Sequence, residues 1–167
     1  MASIKINNKQ VEALRKKLRS LKVPIDKATA TALGRDVVDE MKSLISKGIS
    51  PISGGRFPGY LHQGDPKRYP ATAPKEYGKK QRPVNLKLSG DFQDDLDFKL
   101  QSTKSGIATI IGYFTESEAL KEQGHREGVK GQPKRPTIPT TQEGFSQRIQ
   151  RIISRLYRER IRDLIKK

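Results

Sequence analysis

Apolar positions along the chain change period several times, and each change predicts an element. In residues 8–21, Val11, Leu14, Leu18 and Leu21 recur at helical spacing, with Gln10, Lys16, Lys17 and Arg19 on the other faces. That pattern predicts a short amphipathic helix ended by Pro24. Residues 25–47 carry Ile25, Ala28, Ala32, Leu33, Val37, Met41, Leu44 and Ile45 on one broad stripe. Asp26 near its start and Lys47-Gly48 at its close suit the helix dipole and a C-terminal glycine, so this is the expected main helix of the core. Gly34 in its interior costs about 1 kcal/mol against alanine, which predicts a close packing contact there.

The periodicity stops between residues 48 and 83. Pro51, Pro58, Pro66, Pro70, Pro74 and Pro83 punctuate this stretch, and its apolar content is little more than Phe57, Tyr60, Leu61, Tyr69 and Tyr77. The expectation is a long extended arm, ordered chiefly by contact with other subunits. Arg56, Lys67, Arg68, Lys75, Lys79, Lys80 and Arg82 interleave with the aromatic residues. Such a mixture suits phosphate contact and base stacking, and equally an arm anchored by Tyr and Arg on a neighbouring protein, which is the preferred reading.

Val84, Leu86 and Leu88 alternate, Ser89-Gly90-Asp91 interrupts, and Leu96, Phe98 and Leu100 then alternate with Asp95, Asp97 and Lys99 as in a half-buried strand. A turn at 102–106 leads into residues 107–114, the most β-like run of the chain. The two strands predict an antiparallel hairpin, which is marginal alone and must be covered by a helix or extended by other strands. Residues 118–140 predict one helical turn that breaks at Gly124, followed by a strap stiffened by Pro133, Pro136 and Pro139. Gly90, Gly124, Gly128 and Pro136 are the expected hinge positions, and a β-branched residue at Gly124 is expected to strain the chain. Arg135 is expected to reach out from the strap to a carboxylate, so that its loss leaves the melting temperature nearly unchanged. Residues 142–166 predict the second long helix. Thr140-Thr141 would cap it, Glu143 lies in its first turn, and Phe145, Ile149, Ile152, Ile153, Leu156, Ile161, Leu164 and Ile165 form its apolar stripe, flanked by Arg148, Arg151, Arg155, Arg158, Arg162 and Lys166. The expected fold is α+β, a single domain over residues 1–167. Its antiparallel sheet is built on the hairpin and packed against two long helices, with the 48–83 arm outside.

Composition sharpens this picture. Only 33% of the 167 residues are hydrophobic and 31% are charged, so the core is small. A formal charge of +16 favours polyanionic partners, either nucleic acid or an acidic protein face. Absence of cysteine excludes disulfides and thiolate chemistry. No apolar run approaches the length of a membrane span and no signal-peptide core is present, which predicts a soluble protein of the cytoplasm with no membrane contact. His62 and His125 are the two histidines, and neither stands in a predicted helix with a second ligand three or four residues on. Asp91, Asp94, Asp95 and Asp97 form an acidic cluster, with Asp95 and Asp97 expected on one solvated face of a strand. Ser53-Gly54-Gly55-Arg56 lacks the Gly-Lys-Ser/Thr ending of a phosphate cradle. Catalysis, cofactors and metals are therefore not expected. The candidate interface or DNA-contact residues are Arg56, Tyr60, Lys67, Arg68, Tyr69, Lys79, Lys80, Arg82, Arg135, Arg148, Arg151, Arg155 and Arg158.

The order of elements carries a family resemblance. Leu88-Ser89-Gly90-Asp91-Phe92 before the hairpin, Glu122-Gln123-Gly124 after it, and Arg135-Pro136-Thr137-Ile138 before the last helix together resemble the tailed-phage virion morphogenesis and tail-completion proteins. Thr137 and Pro139 stand where that family commonly has an aromatic residue and a glycine. The resemblance implies a structural protein of the virion neck or tail end, assembled in the host cytoplasm as a homo-oligomeric ring. Its neighbours would be the head-closure or connector protein and the tail-tube or tail-terminator protein, with DNA passing through the lumen. The alternative is a basic nucleic-acid-binding protein that uses the arm and the arginine-rich last helix.

Overall fold

Helix α1, Lys27–Ser46, is the element on which the others rest. Its start is fixed by Asp26, whose side chain accepts the Thr29 N–H at 2.7 Å, as an N-cap should. Ala30, Gly34, Val37, Val38, Met41, Leu44 and Ile45 are buried along one stripe, whereas Ala28 and Ala32 of the expected stripe are exposed because the hairpin meets the helix on the Ala30 and Gly34 side; each fully covered Val, Met, Leu or Ile side chain contributes about 1.5–3 kcal/mol. The computed structural model describes residues 26–62, 64–68, 71–73, 80, 82–87, 90–104 and 106–165. The predicted helix over 8–21, Tyr69, Lys79, Leu88-Ser89 and Lys166 lie outside them.

After the single-turn helix α2, Asp91–Asp94, strands β1, Leu96–Thr103, and β2, Gly106–Tyr113, pair antiparallel with Leu96 opposite Tyr113 and Thr103 opposite Gly106. The alternation read from sequence is the one observed. Phe98, Ile111 and Tyr113 pack on the core together with fully buried Leu96, while Asp97, Lys99 and Gln101 are exposed on the opposite face. Helix α1 covers the hairpin, and Thr109 Oγ1 donates to Ala30 O across that contact at 3.4 Å. Helix α3, Glu116–Glu127, borders β2, and helix α4, Gln147–Ile165, packs on α1. The fold is α+β, and the second long helix reaches the hairpin through α1.

Gly34 is where α1 approaches β1. A Cβ built there would lie 2.6 Å from Phe98 Cγ and 2.8 Å from Cε2, so the missing side chain is what lets the ring lie flat on the helix.

Three expectations change. The first part of the 48–83 stretch folds onto the chain's own core: Ile49 bridges Arg56, Ser50 N–H donates to Gly55 O at 2.8 Å, and Phe57 and Tyr60 are buried. Val84 and Leu86 are buried without forming a strand. There the Asn85 and Gln93 side chains take over backbone bonding, with Gln93 Nε2 donating to Asn85 O at 2.6 Å and Lys87 N–H to Asn85 Oδ1 at 3.3 Å. The last helix starts at Gln147, because Gly144 turns at φ 67° and Glu143 Oε2 is taken by the Thr140 N–H at 2.9 Å.

Gly34→Ala sets a helix-propensity gain of about 1 kcal/mol against overpacking of about 1–3 kcal/mol. A net loss of stability in urea titration is expected, recovered when Phe98→Leu is added. A stabilised Gly34→Ala single variant contradicts the contact.

Candidate functional site

The strap after α3 is held by one face of that helix. Glu122, His125 and Arg126, at helical i, i+3 and i+4 spacing, all turn to it. The Glu122 carboxylate accepts the Thr137 N–H at 3.0 Å, Thr137 Oγ1 at 2.6 Å and the Ile138 N–H at 3.1 Å. His125 O accepts the Arg135 N–H at 2.7 Å, and Arg126 donates to Ile138 O and to Glu143 Oε2. Burial pushes the Glu122 carboxyl above its ordinary value, against the lowering effect of the Thr137 and Ile138 donors and of Arg126. Burial also pushes up the Tyr113 phenol, which hydrogen-bonds Thr137 Oγ1 at 2.9 Å, with the charges of Glu122, Asp95 and Glu118 adding to the effect.

Alternation along the extended strap turns Arg135 and Thr137 inward, with 2% and 0% of their surface exposed. Arg135 therefore does not reach out to a partner. Its Nε donates to Pro58 O at 2.8 Å, a second nitrogen donates to Gly59 O, and the guanidinium lies 4.8 Å over the Tyr60 ring. Tyr60 is buried in the same contact and is not a surface residue. Gly124 is likewise not a hinge: α3 runs through it, and a Cβ there would meet Val129 Cγ2 at 3.1 Å. The left-handed break falls at Gly128, φ 73°, where a Cβ would come within 2.6 Å of Gln132 O. The short helical turn expected here is thus a full twelve-residue helix, with Glu116 and Glu118 in its first turn and His125 and Arg126 in its last, both favourable to the dipole. Gly90 turns the chain into α2 at φ 110°, and Pro136 is half-buried in the strap. Sequence reading missed Glu122, because nothing in the composition of α3 distinguishes it from the exposed Glu127.

The remaining predicted residues do not form one site. Arg56, Lys67, Arg68, Lys80 and Arg82 are exposed and dispersed along irregular chain, with Arg68 beside Asp65 at 3.5 Å. The C-terminal set is organised. Arg148, Arg151, Arg155, Arg158 and Arg162 stand three or four residues apart on α4, which at 100° per residue places all five within an arc of about 80° along about 21 Å of helix. Arg148 pairs with Glu40 on α1, and Arg155 lies 3.9 Å from Glu159. Ile149 is fully buried and Ile153 packs on the core, but beyond them Tyr157 is 42% exposed, so among the described residues the ridge continues past those that support it.

A pocket of about 490 Å³ opens where α2, the start of β1 and α3 meet, lined by Asp91, Asp94, Asp95, Thr115, Ser117 and Glu118. Asp95 precedes β1 and does not share a strand face with Asp97. It accepts the Phe114 and Thr115 N–H groups at 2.8 and 3.0 Å. Burial works against its charge, yet those donors hold the Asp95 carboxyl below its ordinary value. Among the described residues, no group of three His, Cys, Asp or Glu side chains is arranged to hold a metal ion, and no helix is long and apolar enough to cross a membrane. Comparisons with family models, with curated proteins and with solved structures found no match to this chain.

Arg135→Ala is expected to cost about 3 kcal/mol, since it removes a buried guanidinium that donates to the Pro58 and Gly59 carbonyls and lies over the Tyr60 ring. Arg135→Lys should recover less than half of that, because an ammonium lacks the planar fork. Chemical denaturation measures both, and an unchanged midpoint for Arg135→Ala contradicts the clamp.

Glu122 supplies a pH test. A carboxyl raised in the native state favours folding below its ordinary value and loses that contribution as pH rises through the raised one. The wild-type minus Glu122→Gln difference in melting temperature is therefore expected to grow from about pH 7 to about pH 4. A difference that shrinks on acidification identifies the carboxylate as the form the strap prefers.

Proposed function

We propose that this chain is a structural subunit of the virion neck or tail-completion region of a tailed phage. In this reading it assembles as a homo-oligomeric ring between the head-closure or connector protein and the tail-tube or tail-terminator protein. The observation that carries the reading is the arginine ridge of α4, which among the described residues continues past the core beside the half-covered Ile152, Ile153 and Leu156. Arginine on such a ridge is suited to interface ion pairs, and an amphipathic helix that outruns its own core is suited to a neighbour's surface. Among the described residues, the two-stranded sheet also has edges with no paired strand. The order of the Leu88-Ser89-Gly90, Glu122-Gln123-Gly124 and Arg135-Pro136 steps supports the family assignment. No catalytic role is part of this proposal.

The same ridge favours a second reading, in which it tracks the phosphates of duplex DNA. Reversal of Arg151, Arg155 and Arg158 to Glu tests both. The triple variant is expected to keep the wild-type melting temperature, because all three residues are exposed, and to leave unjoined heads and tails in electron micrographs. Complete particles from the variant overturn the proposal. Binding of unrelated DNA sequences by the wild type, weakened by salt and lost in the variant, with normal particles, establishes the second reading instead.

A further inference from the structure

Among the described residues, the second strand of the hairpin has an edge with no paired strand, beside a helix whose apolar face is half covered. Thr103 and Gly106 close a two-residue turn, so that pair and every second pair after it exchange hydrogen bonds. The N–H and C=O groups of Ile107, Thr109 and Ile111 therefore point away from β1, and among the described residues no backbone hydrogen bond reaches them from outside the hairpin. Residues 105–115 contain no charged side chain in a chain of formal charge +16, so this edge lacks the charges that ordinarily protect one. Ile110, opposite Lys99 on the face turned away from α1, is 44% exposed.

Helix α4 overhangs that edge. Along α1, Ala30 meets Thr109 of β2 and Gly34 meets Phe98 of β1, while Val38 and Lys42 border Phe98 and Asp97. Glu40, which pairs with Arg148, stands about 160° round the helix from Val38 and Lys42, and so on the β2 side. Ser146 N–H donates to Pro51 O, past the C-terminal end of α1, so α4 runs back along α1 and brings Ile152, Ile153 and Leu156 toward Leu33. Packed helices stand about 8–10 Å apart, and the next strand position lies about 4.8 Å beyond β2. One extended segment fits beneath α4. A second copy's β2, paired antiparallel at the same edge, would bring its own α1 to the place that α4 holds.

We propose that residues 3–7, Ser3-Ile4-Lys5-Ile6-Asn7, fill this position as a third strand against β2 of the same chain. They belong to the 25 residues that precede Asp26 and lie outside the described residues. Ile4 and Ile6 alternate with Lys5, so both isoleucines turn to Ile152, Ile153 and Leu156 while the Lys5 stem lies over Ile110. The connection is long enough: a helix over 8–21 spans about 21 Å and residues 22–25 about 13 Å more. The edge itself is near, since Thr109 touches Ala30, one turn from Asp26. So short a tether gives the chain's own segment a high effective concentration, which favours it over a neighbour's. This strand uses no residue of the arginine ridge, so its failure leaves the neck reading untouched.

Because the chain has no cysteine, disulfide trapping tests this in the full chain. Lys5→Cys is combined with Ala108→Cys, with Ile110→Cys, or with Lys99→Cys one strand further away, and each is oxidised at low protein concentration. An intrachain disulfide with Ala108→Cys or Ile110→Cys, and none with Lys99→Cys, is expected on non-reducing gels. Amide hydrogen exchange of the wild type is expected to show Ile107, Thr109 and Ile111 protected. In Ile4→Asp/Ile6→Asp those three amides should exchange at least about tenfold faster, while Ile110, bonded to Lys99 within the hairpin, stays protected. No disulfide at either β2 position, or one formed as readily with Lys99→Cys, overturns the strand, as do wild-type Ile107, Thr109 and Ile111 amides that exchange like exposed loops. Cross-linked dimers in place of monomers overturn it in favour of exchange between copies. Protection that survives Ile4→Asp/Ile6→Asp overturns it in favour of another segment.

Discussion

Two buried charges of opposite sign hold the strap between α3 and α4, and the arrangement of the second half of the molecule depends on them. Glu122 takes the strap's N–H groups from one side, while Arg135 gives its N–H groups to the Pro58 and Gly59 carbonyls on the other. Neither charge is neutralised by the other. Backbone dipoles aimed at each help to compensate it, joined at Glu122 by the Thr137 hydroxyl and by the Arg126 guanidinium 3.5 Å away. The strap can therefore occupy one position, and that position sets where α4 begins. Loss of Glu122 leaves the buried Thr137 N–H and hydroxyl without their acceptor, and loss of Arg135 takes the donor from the Pro58 and Gly59 carbonyls, which is why the clamp acts as a constraint on geometry more than as a source of stability.

The small core is consistent with this division of labour. Val37, Met41, Leu44 and Ile45 of α1 gather Phe57 and Tyr60 from the irregular segment, Phe92 and Leu96 from the approach to the hairpin, and Ile149 from α4. One helix thus serves as the common floor for segments that are far apart in sequence. Aromatic contacts extend it: Phe92 stacks on Tyr113 at 4.4 Å, and His125 meets the edge of Phe92 at 5.3 Å. These contacts tie α2, β2 and α3 together beside the acidic pocket.

Charge is distributed by element. Exposed arginines run down one side of α4, and carboxylates collect where α2, β1 and α3 converge. Where an acidic residue is needed for structure it is already satisfied, as with Asp95 on the Phe114 and Thr115 N–H groups and Asp26 at the start of α1. What remains is the arginine ridge of α4, the surface that the proposed assembling subunit would offer its neighbours.

Local periodicity determined a good part of the fold. The Val37, Met41, Leu44 and Ile45 part of the α1 stripe, its Asp26 start and Gly48 close, the alternation of Leu96, Phe98 and Leu100, and the hairpin itself are short-range properties, and they were legible because burial repeats with the period of the element; nearer the start of α1 the stripe was misread, since Ala30 and Gly34 face the core and Ala28 and Ala32 do not. The need for a close contact at Gly34 was legible too, though not its partner, Phe98. Tertiary structure alone decided the fate of individual polar residues. Whether Arg135 faced solvent or the interior depended on the Pro58 and Gly59 carbonyls, separated from it by more than seventy residues. Glu122 differs from exposed Glu127 on α3 because the strap comes to rest against it. Gly124 was read as a break because glycine is a weak helix former, yet the contacts on both sides carried the helix on to Gly128, where a left-handed turn was required. Periodicity is written into neighbours along the chain, whereas the burial of a single charge is settled by whatever distant backbone arrives to receive it.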